Sequence, residues 1–235
     1  LQGPQDDNWY WNVGYTYTEA TEVNTLTSSQ AASNWNNAVR VDPNADVDEK
    51  SVYAIKDRFT ATVSYRKKFF GDLVSSAGLF YEGRIGKPYT FTFVNDANGD
   101  GRVNDPFYVP NKGEVVFKGG AAMEQAFFDY LASNKNLAAH QGGIAEVNGD
   151  NAPWVHTVDL RLSQELPVYG SMKGEVWLDV MNIGNMINKD WGKIEEVGFP
   201  GAFGVARFAG VDASGKYVYD FRTSDVRDLT LRDNR

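Results

Sequence analysis

In NDANGDGRVND, residues 95 to 105, side-chain oxygens recur at alternate positions. Asp96, Asn98 and Asp100 could each offer one to a cation, Gly101 sits where such a loop must turn, and Arg102 would add a backbone carbonyl. A set made only of oxygens suits a hard cation, calcium above all. The Glu expected at the twelfth position is absent, because Phe107 occupies it, so Asp105 is the candidate replacement. Asn, Asp and Gly in this order also close tight turns without any metal. No helix pair flanks the run, so a bound calcium would hold the loop in shape and would not act as a sensor.

Other reactive side chains lack company. His140 and His156 have no H-x-x-x-H or H-E-x-x-H partner, no serine lies in a G-x-S-x-G turn, and there is no cysteine. Glu195 and Glu196 have no obvious acid/base partner and read as a solvated face. No enzyme activity is expected. The formal charge of −8 argues against a nucleic-acid partner held by a basic surface.

Strands must position whatever these residues do, because alternation dominates the chain. Trp9, Trp11, Val13, Tyr15 and Tyr17 share one face of the run 9–19, and Phe59, Ala61, Val63 and Tyr65 one face of 58–69. Val158, Leu160 and Leu162 do so in 154–166, as do Val176, Leu178 and Val180 in 172–182. The run 73–84 alternates less cleanly, and YTFTF (89–93) extends it. These runs are about 11 to 13 residues long, roughly twice the usual strand. A strand that crosses a bilayer needs about 9–11 tilted residues. No apolar run approaches the roughly 18 residues of a spanning helix. LQGPQDDNWYW has neither a basic start nor an apolar core, so no signal peptide is read there.

Connections sharpen the picture. FGD and PVYGS tie two hairpins briefly, whereas 20–56, 94–152 and everything after 182 are long. Short turns on one side and long loops on the other are the habit of outer-membrane barrels. The expected register places Tyr65 against Ala77, Val63 against Leu79 and Ala61 against Tyr81. In the second hairpin, pairing Leu166 with Met172 would set Leu162 against Val176, Leu160 against Leu178 and Val158 against Val180. It would also bring Glu165 to Lys173 and, less comfortably, Asp159 to Asp179. With Arg161 and Glu175, these charges would line a wet lumen as a network against a plug.

Aromatic rings gather at both strand ends. Trp9, Trp11, Phe69, Phe70 and Tyr169 fall at the short-turn end, and Tyr17, Tyr81, Tyr89 and Trp154 at the other. Two such belts mark the two headgroup layers of a bilayer. Met123, Ala126, Phe127, Tyr130 and Leu131 predict an amphipathic helix inside the second long loop. Within 200–221, a hairpin should turn at DASGK, and NIGN (182–185) with WG (191–192) reads as a turn device.

The ordered set SSQAASNW (28–35), GLFYEGRIGKPYTFTF (78–93), NDANGDGRVNDPFYVP (95–110), APWVHTVDLRLSQELP (152–167), LDVMNIGNMINKDWG (178–192) and GKYVYDF (215–221) resembles one family. It is similar to the C-terminal barrel portion of TonB-dependent outer-membrane receptors, most closely the Oar-like group. The resemblance implies an all-β fold, an antiparallel transmembrane β-barrel fragment with long extracellular loops and a short loop helix, over residues 1–235. The family's plug, its earlier strands and its final strand are not among these residues.

The resemblance also implies a place in the bacterial outer membrane, with membrane lipid and, through the plug, the TonB complex as partners. Outer loops would capture an unknown solute or macromolecular ligand for energised uptake. Two rivals stand beside transport: an adhesion or scaffold protein of the same architecture, and a secreted β-sandwich with a calcium loop that binds carbohydrate.

Overall fold

The computed structural model describes residues 1–3, 8–224, 226 and 229–233. Strand takes 44% of the chain and helix 13%, so the protein is β-rich. In chain order its main strands are β1 (Trp9–Tyr17), β2 (Asp57–Phe70), β3 (Leu73–Arg84), β4 (Pro88–Phe93), β5 (Val116–Phe117), β6 (Asp150–Asn151), β7 (Val155–Tyr169), β8 (Met172–Val180), β9 (Ala202–Val211) and β10 (Tyr217–Asp220). The helices are α1 (Ala31–Asn37), α2 (Ala121–Ser133) and α3 (Lys135–Ala139). No helix among the described residues is long and apolar enough to cross a bilayer.

The long strands form one sheet in the order β1-β2-β3-β7-β8, antiparallel throughout and open at both edges. Leu1 to Gly3 run beside β1, with the Gly3 amide donating to the Trp11 carbonyl (3.1 Å) and the Val13 amide to the Leu1 carbonyl (2.8 Å). The first hairpin has the expected register: Tyr65 faces Ala77, Val63 faces Leu79 and Ala61 faces Tyr81. Its turn is Gly71–Asp72, and Gly71 sits at φ 62°, where a side chain would be strained.

The second hairpin differs from expectation by two residues. Leu162 faces Leu178, Leu160 faces Val180, and Gln164 faces Val176. The turn is only Gly170–Ser171, with Gly170 at φ 58°, so β7 runs on to Tyr169 and takes up an irregularity between Pro167 and Tyr169. A slip of two keeps every side chain on its face, so the apolar surface survives the change. It also removes the anticipated carboxylate clash: Arg161, not Asp159, stands opposite Asp179.

Rows of apolar side chains therefore cross the sheet. One row is Trp11, Val63, Leu79, Leu160 and Val180; the next is Trp9, Tyr65, Ala77, Leu162 and Leu178. This face is uncovered: Val63 is 43% exposed, Leu79 47% and Leu178 58%. Of the buried apolar side chains, the long strands supply Val155 alone.

The chain's dry core lies in a second module, the cap, built from the connections. Its sheet runs β6-β4-β9-β10-β5, with β4–β9 and β10–β5 parallel and the other pairs antiparallel. Tyr89, Phe91 and Phe93 of β4 meet Phe107, Phe117, Phe127 and Tyr219 in one aromatic cluster. Phe93 and Tyr219 pack edge to face at 5.5 Å, as do Phe127 and Phe221 at 5.4 Å. Helix α2 buries Phe127 and Leu131, as its periodicity predicts. The hairpin β9–β10 turns at residues 212–216, where Asp212 accepts from the amides of Ser214 and Lys216 (2.8 and 2.9 Å). Tyr89 is a correction: it is 7% exposed inside this core and belongs to no belt.

Candidate functional site

Three places bring polar groups together. The first is the back of the long sheet, opposite the apolar rows. There Arg161 donates to both oxygens of Asp179, from Nε at 2.6 Å and Nη2 at 2.7 Å. Glu165 accepts from Lys173 Nζ (3.0 Å) and from the Val74 amide (2.9 Å). Asp159 accepts from the Asn182 amide (2.7 Å), which anchors the left-handed residue that ends β8. Charged pairs thus gather on one face: Glu165 meets Lys173 as expected, while Asp179 pairs with Arg161 and not with Asp159.

The second place is the 95–105 turn. Asp96 accepts from the amides of Gly99 (2.7 Å) and Gly101 (2.8 Å), one at each carboxylate oxygen. Asn98 Oδ1 accepts from the Asp100 amide and Asp100 Oδ1 from the Arg102 amide, both at 2.8 Å. Asp105 accepts from the Ala97 amide at 2.7 Å and is 6% exposed. Burial pushes its carboxyl above the usual range, against the pull of the Ala97 and Asn98 amides. All five candidate residues lie on this one turn, and Asp96, Asn98, Asp100 and Asp105 each turn a side-chain oxygen to one of its own amides. No group of three or more His, Cys, Asp or Glu side chains placed to hold a metal occurs among the described residues.

The third place was not legible in the sequence. Residues 22–53, the start of β4 and residues 196–201 enclose a cavity of about 340 Å³. Helix α1 props one side: Asn34 accepts from the amides of Thr27 (2.9 Å) and Ser28 (2.8 Å), which accounts for the SSQAASNW run. Arg40 lines the cavity at 8% exposure, with Glu49 3.6 Å away. Burial lifts the Glu49 carboxyl above its usual range, and Arg40 opposes the lift. Glu196, only 4% exposed, meets Lys87 at 3.3 Å. That corrects the expectation of a solvated Glu195–Glu196 face. Arg40, Lys87 and Glu196 carried no local signal, because their elements meet only in the folded chain.

Both histidine rings have partners within the fold. His156 Nδ1 and Tyr81 Oη are 2.9 Å apart, with Trp154 stacked on the ring at 6.2 Å. His140 Nδ1 lies 2.9 Å from the Asn136 carbonyl. No family model matches this chain, and no curated protein or solved structure does.

Proposed function

We propose that this chain is part of an outer-membrane β-barrel of the TonB-dependent, Oar-like receptor kind, whose long strands face lipid and whose cap stands outside the membrane. One observation carries the proposal: a continuous aromatic and aliphatic face, uncovered, on strands of 9 to 15 residues. Soluble monomers rarely expose contiguous apolar surface on this scale. From Phe59 to Tyr65 the apolar row on β2 is about 20 Å long at about 3.3 Å per residue. An outer-membrane barrel's apolar girdle is about 25 Å tall, so this row would account for most of it. Phe69, Phe70 and Tyr169 below it, at 58 to 81% exposure, then suit the lower headgroup layer.

On this reading the paired charges on the opposite face line a wet lumen, where ion pairs need no dry packing. Further strands would join at β8 and at the part of β1 that Leu1–Gly3 leave unpaired, since an unpaired edge is not tolerated in hydrocarbon. The cap captures a ligand, and energised movement of a plug admits it; binding, rather than bond chemistry, is the activity.

Sedimentation tests the placement. The refolded chain should be monodisperse in detergent micelles and aggregate in plain buffer. A monodisperse, folded monomer without detergent would replace this reading with that of a soluble module. An upstream plug with a TonB-contacting segment in the complete gene product would favour transport over a passive scaffold.

A further inference from the structure

Six charged side chains line the cap cavity, three of each sign: Arg40, Lys50 and Lys87 against Glu22, Glu49 and Glu196. Their charges sum to zero, and each already has company inside the fold. Arg40 stands against Glu49 (3.6 Å), Lys50 donates to Glu146 (2.8 Å), and Glu22 accepts from the Thr25 hydroxyl (2.7 Å). Glu196 has Lys87 at 3.3 Å and a further interaction besides. The uncharged lining is of two kinds. Asn37 and Asn148 bring amides, and Val39, Val52 and Val197 bring apolar surface. Two exposed rings, Tyr53 at 64% and Phe199 at 68%, stand at the margin.

This pairing sets what fits. A charged guest would have to draw one member out of a pair and leave the other without its counter-ion. A wholly apolar guest would strip water from ammonium and carboxylate groups and return no hydrogen bond. A hydroxyl both donates and accepts without adding charge, so it can lie beside a pair that stays closed. A lysine ammonium has three protons, so Lys50 and Lys87 can each keep a carboxylate and still donate to such a hydroxyl. We propose that this cavity binds an uncharged sugar, its hydroxyls on Asn37 and the two lysines and a C–H face against Tyr53 or Phe199. The volume falls at the small end of the range for ligand pockets, which fits one or two sugar rings and not a long glycan. A ligand class is thereby named for the capture proposed above, and the cavity carries it whichever solvent the long sheet faces.

The test is calorimetric titration of the refolded 235-residue chain, in micelles of a detergent without a sugar headgroup, with the methyl glycosides of glucose, mannose and galactose. The uronate and amino-sugar counterparts of the best binder serve as charged controls. At least one neutral glycoside should bind, and both charged counterparts should bind at least about tenfold more weakly, the worth of one charge-assisted hydrogen bond. Tyr53→Ala combined with Phe199→Ala should weaken the neutral sugar about two- to tenfold, the scale of one aromatic contact. Lys87→Gln leaves the lining with one excess negative charge and should move the preference toward the amino sugar. Near-UV dichroism checks that each variant keeps its aromatic core; if one does not, the neutral and charged sugars on the unaltered chain still decide. Absence of heat from all three glycosides at millimolar concentration would overturn the proposal. So would equal affinity for neutral and charged forms, or an unchanged affinity without the two rings. Membrane placement is read by a separate experiment, so either result can fail alone.

Discussion

Phe107 and Phe127 in the cap lie 6.1 Å apart with no exposed surface, while Val63 and Leu79 in the long sheet face each other at 43% and 47% exposure. Both pairs sit in β-rich modules of one chain, and both belong to continuous apolar surfaces. The cap closes its surface with α2 and a mixed sheet; the long sheet leaves its own open over the length of five strands. If both modules were built for water, the second would lose the apolar burial that stabilises the first. On the proposed reading the difference is one of solvent: the cap brings its own dry interior, and the sheet would take one from its surroundings. Polar groups follow the same division. In the cap, Tyr89 is buried and donates to Asp150 (2.8 Å), whereas the sheet sends Arg161 and Asp179 to the face away from its apolar rows.

Mutations can break that contrast, and the largest effect should come from the cap. Phe127→Ala removes a side chain at the centre of the aromatic cluster and should cost about 3–5 kcal/mol, read as a lower urea midpoint for the near-UV signal. Leu79→Arg tests the other side. At the middle of a lipid face it should cost about 2–4 kcal/mol in bilayers, whereas on a watery surface the change would stay within about 0.5 kcal/mol.

Acid–base titration of the cap should give two smaller effects of opposite sign. Burial raises the Asp105 carboxyl, so the stability associated with its proton is present below the ordinary carboxylate value and lost as pH climbs through the raised one. Asp105→Asn should flatten that loss. Glu114 is held below its usual range by the Tyr108 hydroxyl, which donates at 2.6 Å, and by the Asn111 amide. Its contribution is present above the ordinary value and lost as pH falls through the lowered one, so Glu114→Gln should remove part of the cap's acid sensitivity. Thermal midpoints measured across pH 3 to 7 check both signs. The smallest response should be to calcium: with the 95–105 oxygens directed at their own amides, millimolar calcium should move the cap's midpoint by less than about 1 °C. A dissociation constant near 10 μM would add about 2.7 kcal/mol and shift it by several degrees, restoring the cation site.

Much of the long sheet was legible because its information is local. Period-two alternation marks Val63 and Leu160 as sharing a surface, and the FGD turn sets the first register. The second register slipped because PVYGS conceals a two-residue Gly170–Ser171 turn and an irregularity at Pro167, details that alternation does not carry. Gly170 was the available clue, since a glycine at the first turn position suits such a hairpin. The α2 face was readable for the same reason as the strands. The unity of the cap was not. Its parallel contact of β4 with β9 joins Phe91 to Phe203 across a large part of the chain, and no local pattern names a distant partner. Tyr89 looked like a belt residue and Glu196 like a surface residue until that fold closed over them. Arg40 was invisible for the same reason.

Which side of the long sheet is dry can be measured directly. The chain has no cysteine, so single cysteines at Val63, Leu79 and Leu160 on one face, and at Thr62, Ser76 and Ser163 on the other, can carry spin labels without background. In reconstituted bilayers, the first three should collide readily with oxygen and poorly with a water-soluble nickel chelate, and the second three should do the opposite. Equal nickel accessibility on both faces would contradict a lipid-facing sheet.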